Sequence, residues 1–345
     1  MGVNGRQGYV TSPNSGPSRT PADRTPDEFA WIERLRTRFE AAARLLVPGG
    51  PVPPAGDTWI GDDAAVVATH GGPGRVIWAT DLVIEGVHVD LGLCGLEDMG
   101  YKAVMVTVSD LAAMGATPEY LLVSVAAPPG TDLDLLGAGV AEAATLCGCA
   151  VVGGDLAAGP VVVVSTSVIG SVGPHPERGP LLRSGARAGD RLWVTGPLGA
   201  SAAGLRLLRA GGVPAGPADE ALIRAHRRPV ARIREGTAAR LAGASAAIDV
   251  SDGLAADIVH LARSSGVGLA LDGLPVADGA TDAEARAGGE EYELVVATAD
   301  SGGLVAAFGA AGLRPPAPLG RCTGRAGVYT LAGGPLVPEG WQHRL

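Results

Sequence analysis

The chain of 345 residues has a single lysine, Lys102, so arginine supplies the other 26 of its 27 basic side chains. That scarcity excludes a G-x-x-x-x-G-K-[ST] phosphate loop, because no lysine stands in such a context. Any phosphate chemistry must use another design. Cysteine is equally sparse: Cys94, Cys147, Cys149 and Cys322 contain no C-x-x-C pair. One or two bridges would add little to a chain this long, which points to free thiols, a reducing compartment and a cytoplasmic protein. No apolar run approaches the roughly 18 residues of a membrane span, and no apolar core follows the first charges as in a secretory signal. The six histidines include no H-x-x-H or H-x-x-x-H pair, which argues against zinc. A net charge of −9 argues against a broad grip on nucleic acid or an anionic membrane.

Against these absences stand 46% hydrophobic and only 18% charged residues, with 53 Gly and 26 Pro, a globular composition rich in turn formers. The length suggests two domains. Residues 1–26, mostly Gly, Pro, Ser and Thr, read as a disordered tail. Over 27–46 the apolar residues Phe29, Ile32, Leu35, Phe39 and Ala42 recur at helical spacing, with Asp27 as the cap and Pro48-Gly49-Gly50 as the stop. Strands are expected at 64–68, 76–79, 103–108, 120–126, 151–152 and 161–169, with a helix at 133–146. Residues 171–190 read as a joint between an N-terminal domain, 27–172, and a C-terminal domain, 173–345. Beyond the joint come a strand at 191–195, a helix at 200–209, an Arg-rich stretch at 224–240, a strand at 246–250 and a helix at 254–264. Further strands fall near 267–271, 292–298 and 327–331. The fold class is α/β to α+β.

The acids carry the chemistry. Asp81, Asp110, Asp155 and the pair Asp249 and Asp252 each follow an apolar run, and Gly61-Asp62-Asp63 adds two more on a turn. If these runs are strands, the acids collect beyond their carboxyl ends, where open α/β sheets bind ligands. Two carboxylates about 4 Å apart repel by roughly 4 kcal/mol at an effective dielectric near 20, so a convergent set needs cations or shared protons. Oxygen-only ligands without histidine favour Mg²⁺ shared with phosphates. Taken singly, each Asp is better explained as a helix cap or turn former; the repetition favours metal. The glycines of Gly153-Gly154-Asp155 and Gly196-Pro197-Leu198-Gly199 are weaker signs of backbone approach to phosphate. Arg183 is a candidate phosphate clamp, and His88 lies seven residues past Asp81.

Six ordered motifs carry a resemblance running from about residue 28 to the C-terminus. They are Gly61-Asp62-Asp63-Ala64-Ala65-Val66, Thr80-Asp81 through Gly86-Val87-His88, Ser109-Asp110-Leu111-Ala112-Ala113-Met114-Gly115-Ala116, Gly153-Gly154-Asp155, Val250-Ser251-Asp252-Gly253-Leu254 and Gly289-Glu290-Glu291-Tyr292-Glu293-Leu294. They resemble the thiamine-monophosphate kinases of the aminoimidazole-ribonucleotide-synthetase-like superfamily. The resemblance implies transfer of phosphate from ATP to thiamine monophosphate with several Mg²⁺ ions. It also implies a homodimer whose N-terminal domains share a β-barrel, each C-terminal α/β domain completing an active site. By matching position it makes Asp62, Thr80, Asp81, Asp110, Asp155, Asp249 and Asp252 metal ligands. Gly154, Asp155, Arg183 and Ser251 would face ATP, and His88, Glu290 and Trp341 would meet thiamine phosphate. Asp110, Asp252 and Arg183 would be central to catalysis. An aromatic face such as Trp341 suits the permanent thiazolium cation.

Three departures stand out: Ala79 before the Thr-Asp pair, Leu156 and Ala157 after Gly-Gly-Asp, and Glu291 in place of the usual Asp. None removes a core carboxylate. The first rival is a superfamily sibling, and aminoimidazole ribonucleotide synthetase stays open, but two others fit poorly: selenophosphate synthetase needs a reactive Cys or selenocysteine near its start, and no Cys precedes Cys94. The hydrogenase-maturation dehydratase ends in cysteine, whereas this chain ends Arg344-Leu345. A non-catalytic nucleotide or thiamine sensor is the rival from another class.

Overall fold

The computed structural model describes residues 28–44, 53–54, 56–68, 75–173 and 178–342. The expected tail at 1–26, the Asp27 cap and the Pro48-Gly49-Gly50 stop lie outside them. The first half runs α1 (Glu28–Ala43), β1 (Ala65–Ala68), β2 (Arg75–Ile84), α2 (Leu96–Ala113), β3 (Thr117–Ala127), α3 (Leu133–Cys147), β4 (Ala150–Ala158) and β5 (Val163–Ser171). Its strands form one mixed sheet in the order β1-β2-β5-β3-β4, antiparallel except for the parallel pair β3/β4 at the edge.

The run 103–108, expected as a strand, lies inside α2. Val104, Val106, Thr107 and Val108 have strand propensity, but every residue from Gly100 to Ser109 is buried, and a helix wrapped on all sides by protein has no polar face to betray its period. The close fit of α2 on α3 depends on two glycines: a Cβ at Gly100 would stand 2.1 Å from Leu136 O, and one at Gly139 would stand 1.8 Å from Glu97 O.

The second half contains β6 (Arg191–Val194), α4 (Ala200–Arg209), α5 (Pro217–Arg227), α6 (Ile233–Leu241), β7 (Ala246–Asp249), α7 (Leu254–Ser265), β8 (Gly268–Leu271), α8 (Asp282–Ala287), β9 (Leu294–Thr298), α9 (Ser301–Ala310), β10 (Ala317–Thr323), β11 (Tyr329–Leu331) and β12 (Gly334–Pro335). Its sheet has the order β12-β11-β8-β10-β6-β9-β7, again mixed, with β11/β8 parallel. β7 and β9 are buried at every residue. The Arg-rich stretch resolves into the end of α5 and the whole of α6. Helix α2 joins the halves: one side lies on β2, β5 and α3, while its C-terminal part meets α6 and β7. There Leu181 N–H donates to Met114 O at 2.9 Å.

Candidate active site

Three segments meet where α2 ends. The last turn of α2 supplies Asp110, the end of β7 supplies Asp249, and the turn before β1 supplies Asp63. One carboxylate oxygen from each lies within 4.8 Å of the others. Asp81 approaches from β2, where Ile77, Ala79 and Val83 mark the inward face and Trp78, Thr80 and Leu82 the exposed one. Of the acids expected at strand ends, only Asp249 ends a strand, with Asp252 in the following turn. Asp110 is helical, and Asp81 and Asp155 lie within strands. The convergence comes from tertiary packing of unlike elements.

The electrostatics record the crowding. Burial, then the charges of Asp81, Asp249 and Asp63, pushes Asp110 well above the usual carboxylate range. Burial and Asp63 raise Asp249 to about 7, although Ser109 Oγ donates to its Oδ2 at 2.6 Å. Burial and Asp252 raise Asp81 to about 6. Arg183 counters these charges, its Nε and Nη2 donating to Asp63 Oδ1 at 3.0 and 2.5 Å. Asp63 Oδ2 is buried without a hydrogen-bond partner, the condition of an atom prepared for a cation.

The resemblance singles out Asp62, but it is Asp63 that shares the cluster. Asp62 accepts the Arg183 N–H at 3.2 and 3.1 Å and, through burial and the charge of Asp63, rises to about 7. Two adjacent acids in Gly61-Asp62-Asp63 gave no local signal to separate them. Thr80 faces the other side of the sheet from Asp81; its hydroxyl donates to Thr166 O at 2.9 Å and accepts from Ser167 Oγ at 2.8 Å. Asp155 lies on the exposed edge strand β4, opposite Ser124. Three strand spacings, roughly 14 Å, separate β4 from β2, so this fold does not bring Asp155 to the cluster within one chain. Gly154 has a packing reason to be glycine, because a Cβ would stand 1.7 Å from Val123 O.

The turn after β7 draws together Ser251, expected to face nucleotide, and Glu290 and Trp341, expected to meet substrate. Ser251 O accepts from Glu290 N–H at 2.7 Å, Val250 O from Tyr292 N–H at 2.8 Å, and Asp252 O from Trp341 N–H at 2.9 Å. Asp257, pushed well above the carboxylate range by burial and then by Asp252, accepts from the Asp252 and Gly253 N–H groups at 3.1 and 3.0 Å. Glu290 and Tyr292 have φ of 62° and 52°, left-handed values that side chains adopt at a cost and that cluster at functional sites. His88 lies in the turn after β2, where its Nδ1 accepts the Ile84 N–H at 3.1 Å. The Gly196–Gly199 turn ahead of α4, a weak phosphate candidate, is filled from within: Glu291 accepts the Ala200 and Ser201 N–H groups at 3.2 and 3.0 Å.

Sequence reasoning missed a second buried group. Lys102 Nζ lies 2.9 Å from Glu290 Oε1, and His226 Nδ1 lies 3.5 Å from Glu290 Oε2.

Two mixed sheets joined by α2, with a carboxylate cluster and one arginine at their junction, place the chain in the AIR-synthase-related class. Residues 61–172 match the family "AIR synthase related protein, N-terminal domain", and residues 187–331 match its C-terminal domain. The thiamine-monophosphate kinase of Mycobacterium tuberculosis is 37% identical over 307 residues, covering 87% of this chain and 86% of that protein. The solved structure of AaThiL complexed with AMPPCP and TMP superposes with a TM-score of 0.78 at 30% identity, covering 92% of this chain and 97% of that one. The thiamine-monophosphate kinase structure from Stenotrophomonas maltophilia gives 0.70 at 32% identity, over 89% and 97%. The chain belongs to the thiamine-monophosphate kinase family.

Proposed function

We propose that this chain transfers the γ-phosphoryl group of ATP to the phosphate of thiamine monophosphate, giving thiamine diphosphate and ADP. The observation that carries this reading is the set of buried Asp63 and Asp249 with half-buried Asp110 beside Arg183, one Asp63 oxygen being unpartnered. Family membership says which phosphates such a cage serves: relatives in several bacteria are named thiamine-monophosphate kinase, and one structure was solved with AMPPCP and TMP.

The donor set is hard oxygen throughout, which fits Mg²⁺. Asp63, Asp110 and Asp249, with Asp62, Asp81 and Asp252 around them, would hold several ions. Bound there, Mg²⁺ would neutralise charge on the phosphates of both substrates. The acceptor phosphate oxygen is already ionised, so no protein base is needed. Arg183, tethered by Asp63, is placed to meet charge developing on the transferred group. Ser251 and Asp252 hold the nucleotide side, while Glu290, Trp341 and His88 serve thiamine phosphate. Among the described residues no side chain is set up as a nucleophile: Ser109 donates to Asp249, and the four cysteines are free and buried. Direct in-line transfer follows.

The same reading assigns a homodimer. The outward face of the first sheet exposes Trp78, Leu82, Tyr120 and Leu122, and β4 exposes Val151, Val152 and Leu156, more apolar surface than an isolated sheet tolerates. A second copy closing this face into a shared barrel would cover the edge and enclose Thr80 and Asp155. Those two residues would then act across the subunit boundary. In this scheme residues 27–172 form the dimerising domain and 173–345 the domain that completes each site, in a cytoplasmic enzyme.

The test is incubation of the purified protein with ATP, MgCl₂ and thiamine monophosphate. Thiamine diphosphate is the expected product; ATP binding without turnover would leave a sensor instead. Chiral γ-thiophosphate should be transferred with inversion, whereas net retention or labelled protein after ATP alone would require a covalent intermediate.

A further inference from the structure

Lys102 is the only lysine in a chain with 26 arginines, and it lies on α2 at 1% exposure. A buried ammonium is costly unless it is paired and hydrogen-bonded. Its partner is Glu290, which belongs to the other half of the molecule and whose side chain keeps 26% of its surface open. Glu290 is held at both ends. Its N–H donates to Ser251 O at 2.7 Å with φ at 62°, and its carboxylate receives Lys102 on one oxygen while the other faces His226 at 3.5 Å. His226 Nδ1 is in turn 3.1 Å from Ser201 Oγ. Burial, then the charge of Lys102, pushes His226 down to about 4, so its ring is neutral at physiological pH and the cation facing Glu290 is Lys102.

A carboxylate anchored from the dry side and open on the other is a recognition group for a hydrogen-bond donor or a cation. We propose that Lys102 is a positioning residue of the substrate site, holding the Glu290 carboxylate in place and aimed at the thiamine portion of thiamine phosphate. This rests on the kinase reading above. It also explains the residue type. A compact ammonium makes a single contact in a closed space, whereas a guanidinium is a planar fork needing several acceptors and more room. The pair spans α2 and the 289–293 segment, so it fixes Glu290 relative to the half that carries Asp110.

The experiment compares wild type, Lys102→Met, Lys102→Arg, Glu290→Gln and the double variant Lys102→Met with Glu290→Gln. Steady-state constants for each substrate and thermal melting are measured on each. Lys102→Met should raise the KM for thiamine monophosphate on the order of tenfold and leave that for ATP within about twofold, as expected when a charge-assisted contact is lost. Lys102→Arg should not rescue it. The double variant removes both charges, so it should melt higher than either single variant while keeping the KM of Glu290→Gln. This double variant keeps the test decisive should Lys102→Met alone fail to fold. Equal rises for both substrates, rescue by arginine, or a further rise from Lys102→Met in the Glu290→Gln background would overturn the inference. Absence of wild-type turnover would instead overturn the kinase reading itself.

Discussion

Two acidic regions meet near α2 and are built on opposite principles. In the aspartate cluster, Asp63, Asp110 and Asp249 crowd together, and Arg183 meets only part of their charge. In the segment from Glu290 to Glu293, each glutamate has a partner supplied by the chain. Glu290 has Lys102, Glu291 has the N–H groups that open α4, and Glu293 has Arg232 at 2.6 Å, Arg314 at 3.0 Å and the Thr195 hydroxyl. Carboxylates satisfied from within hold structure or aim a side chain. Carboxylates left in mutual repulsion mark where charge from outside is required.

The largest effect expected from this contrast is on turnover. Asp110→Asn removes a charge from the centre of the cluster with little change of shape, and it should lower kcat on the order of a thousandfold. Without metal, the same variant should melt no lower than wild type, because a repulsive charge has gone. Near-normal activity in Asp110→Asn, or full wild-type activity in excess chelator, would break the contrast.

Glu293→Gln should behave in the opposite way. It leaves Arg232 and Arg314 facing a neutral amide, and breaking a buried pair from one side costs up to about 3–5 kcal/mol. Both arginines are partly exposed, so about 2–3 kcal/mol is the discounted expectation, read as a fall in melting temperature that Mg²⁺ does not reverse. A melting curve indistinguishable from wild type would show that this carboxylate is not structural.

Proton competition sharpens the comparison further. Burial and neighbouring carboxylates push Asp62 and Asp249 up to about 7 and Asp81 up to about 6, above their unfolded values. The metal-free protein therefore holds extra protons between about pH 4 and 7 and loses that stabilisation as pH rises through the window. His226 and His260, lowered to about 4 with burial as the leading cause, act oppositely and cost stability as pH falls from about 6.5 toward 4. The rise in melting temperature on adding Mg²⁺ isolates the acids, because metal must displace their protons. It should be several degrees larger at pH 8 than at pH 5.5. An equal rise at both would place the ion elsewhere.

How far the sequence foretold this site depends on what each residue's neighbours reveal. Helix α4 lies at the expected positions 200–209, and α7 differs by one residue, because both alternate buried and exposed faces. Helix α2 was hidden by the burial of its middle, residues 100–109, and with it the fact that Asp110 lies on a helix. β10 was missed because Pro318 and Gly320 interrupt its strand character. The Asp62-Asp63 pair offers two adjacent acids, and only packing decides which one meets Arg183 from inside. The Lys102–Glu290–His226 group comes from three distant segments, so no local spacing could announce it. Its one sequence signal was the lone lysine, which local reading uses only to exclude a phosphate loop.

The smallest effect concerns Trp341, which tests whether the substrate end of the site reaches the chain's last described residues. Its N–H is tied to Asp252 O at 2.9 Å, so the backbone is fixed beside the acidic turn while the side chain stays 51% exposed. A tryptophan whose task was to dock the terminus would bury its indole. One that stays half exposed beside Glu290's anchoring turn suits a bound cation, and thiazolium carries a permanent positive charge. Such a contact is worth about 0.5–2 kcal/mol, so Trp341→Ala should raise the KM for thiamine monophosphate by roughly 2- to 30-fold with little change for ATP. Trp341→Phe should recover part of the loss, since a smaller aromatic face still attracts a cation. A matching rise for ATP, or a marked fall in melting temperature with no change in either KM, would return Trp341 to a structural role and leave Glu290 as the main grip on the substrate's organic portion.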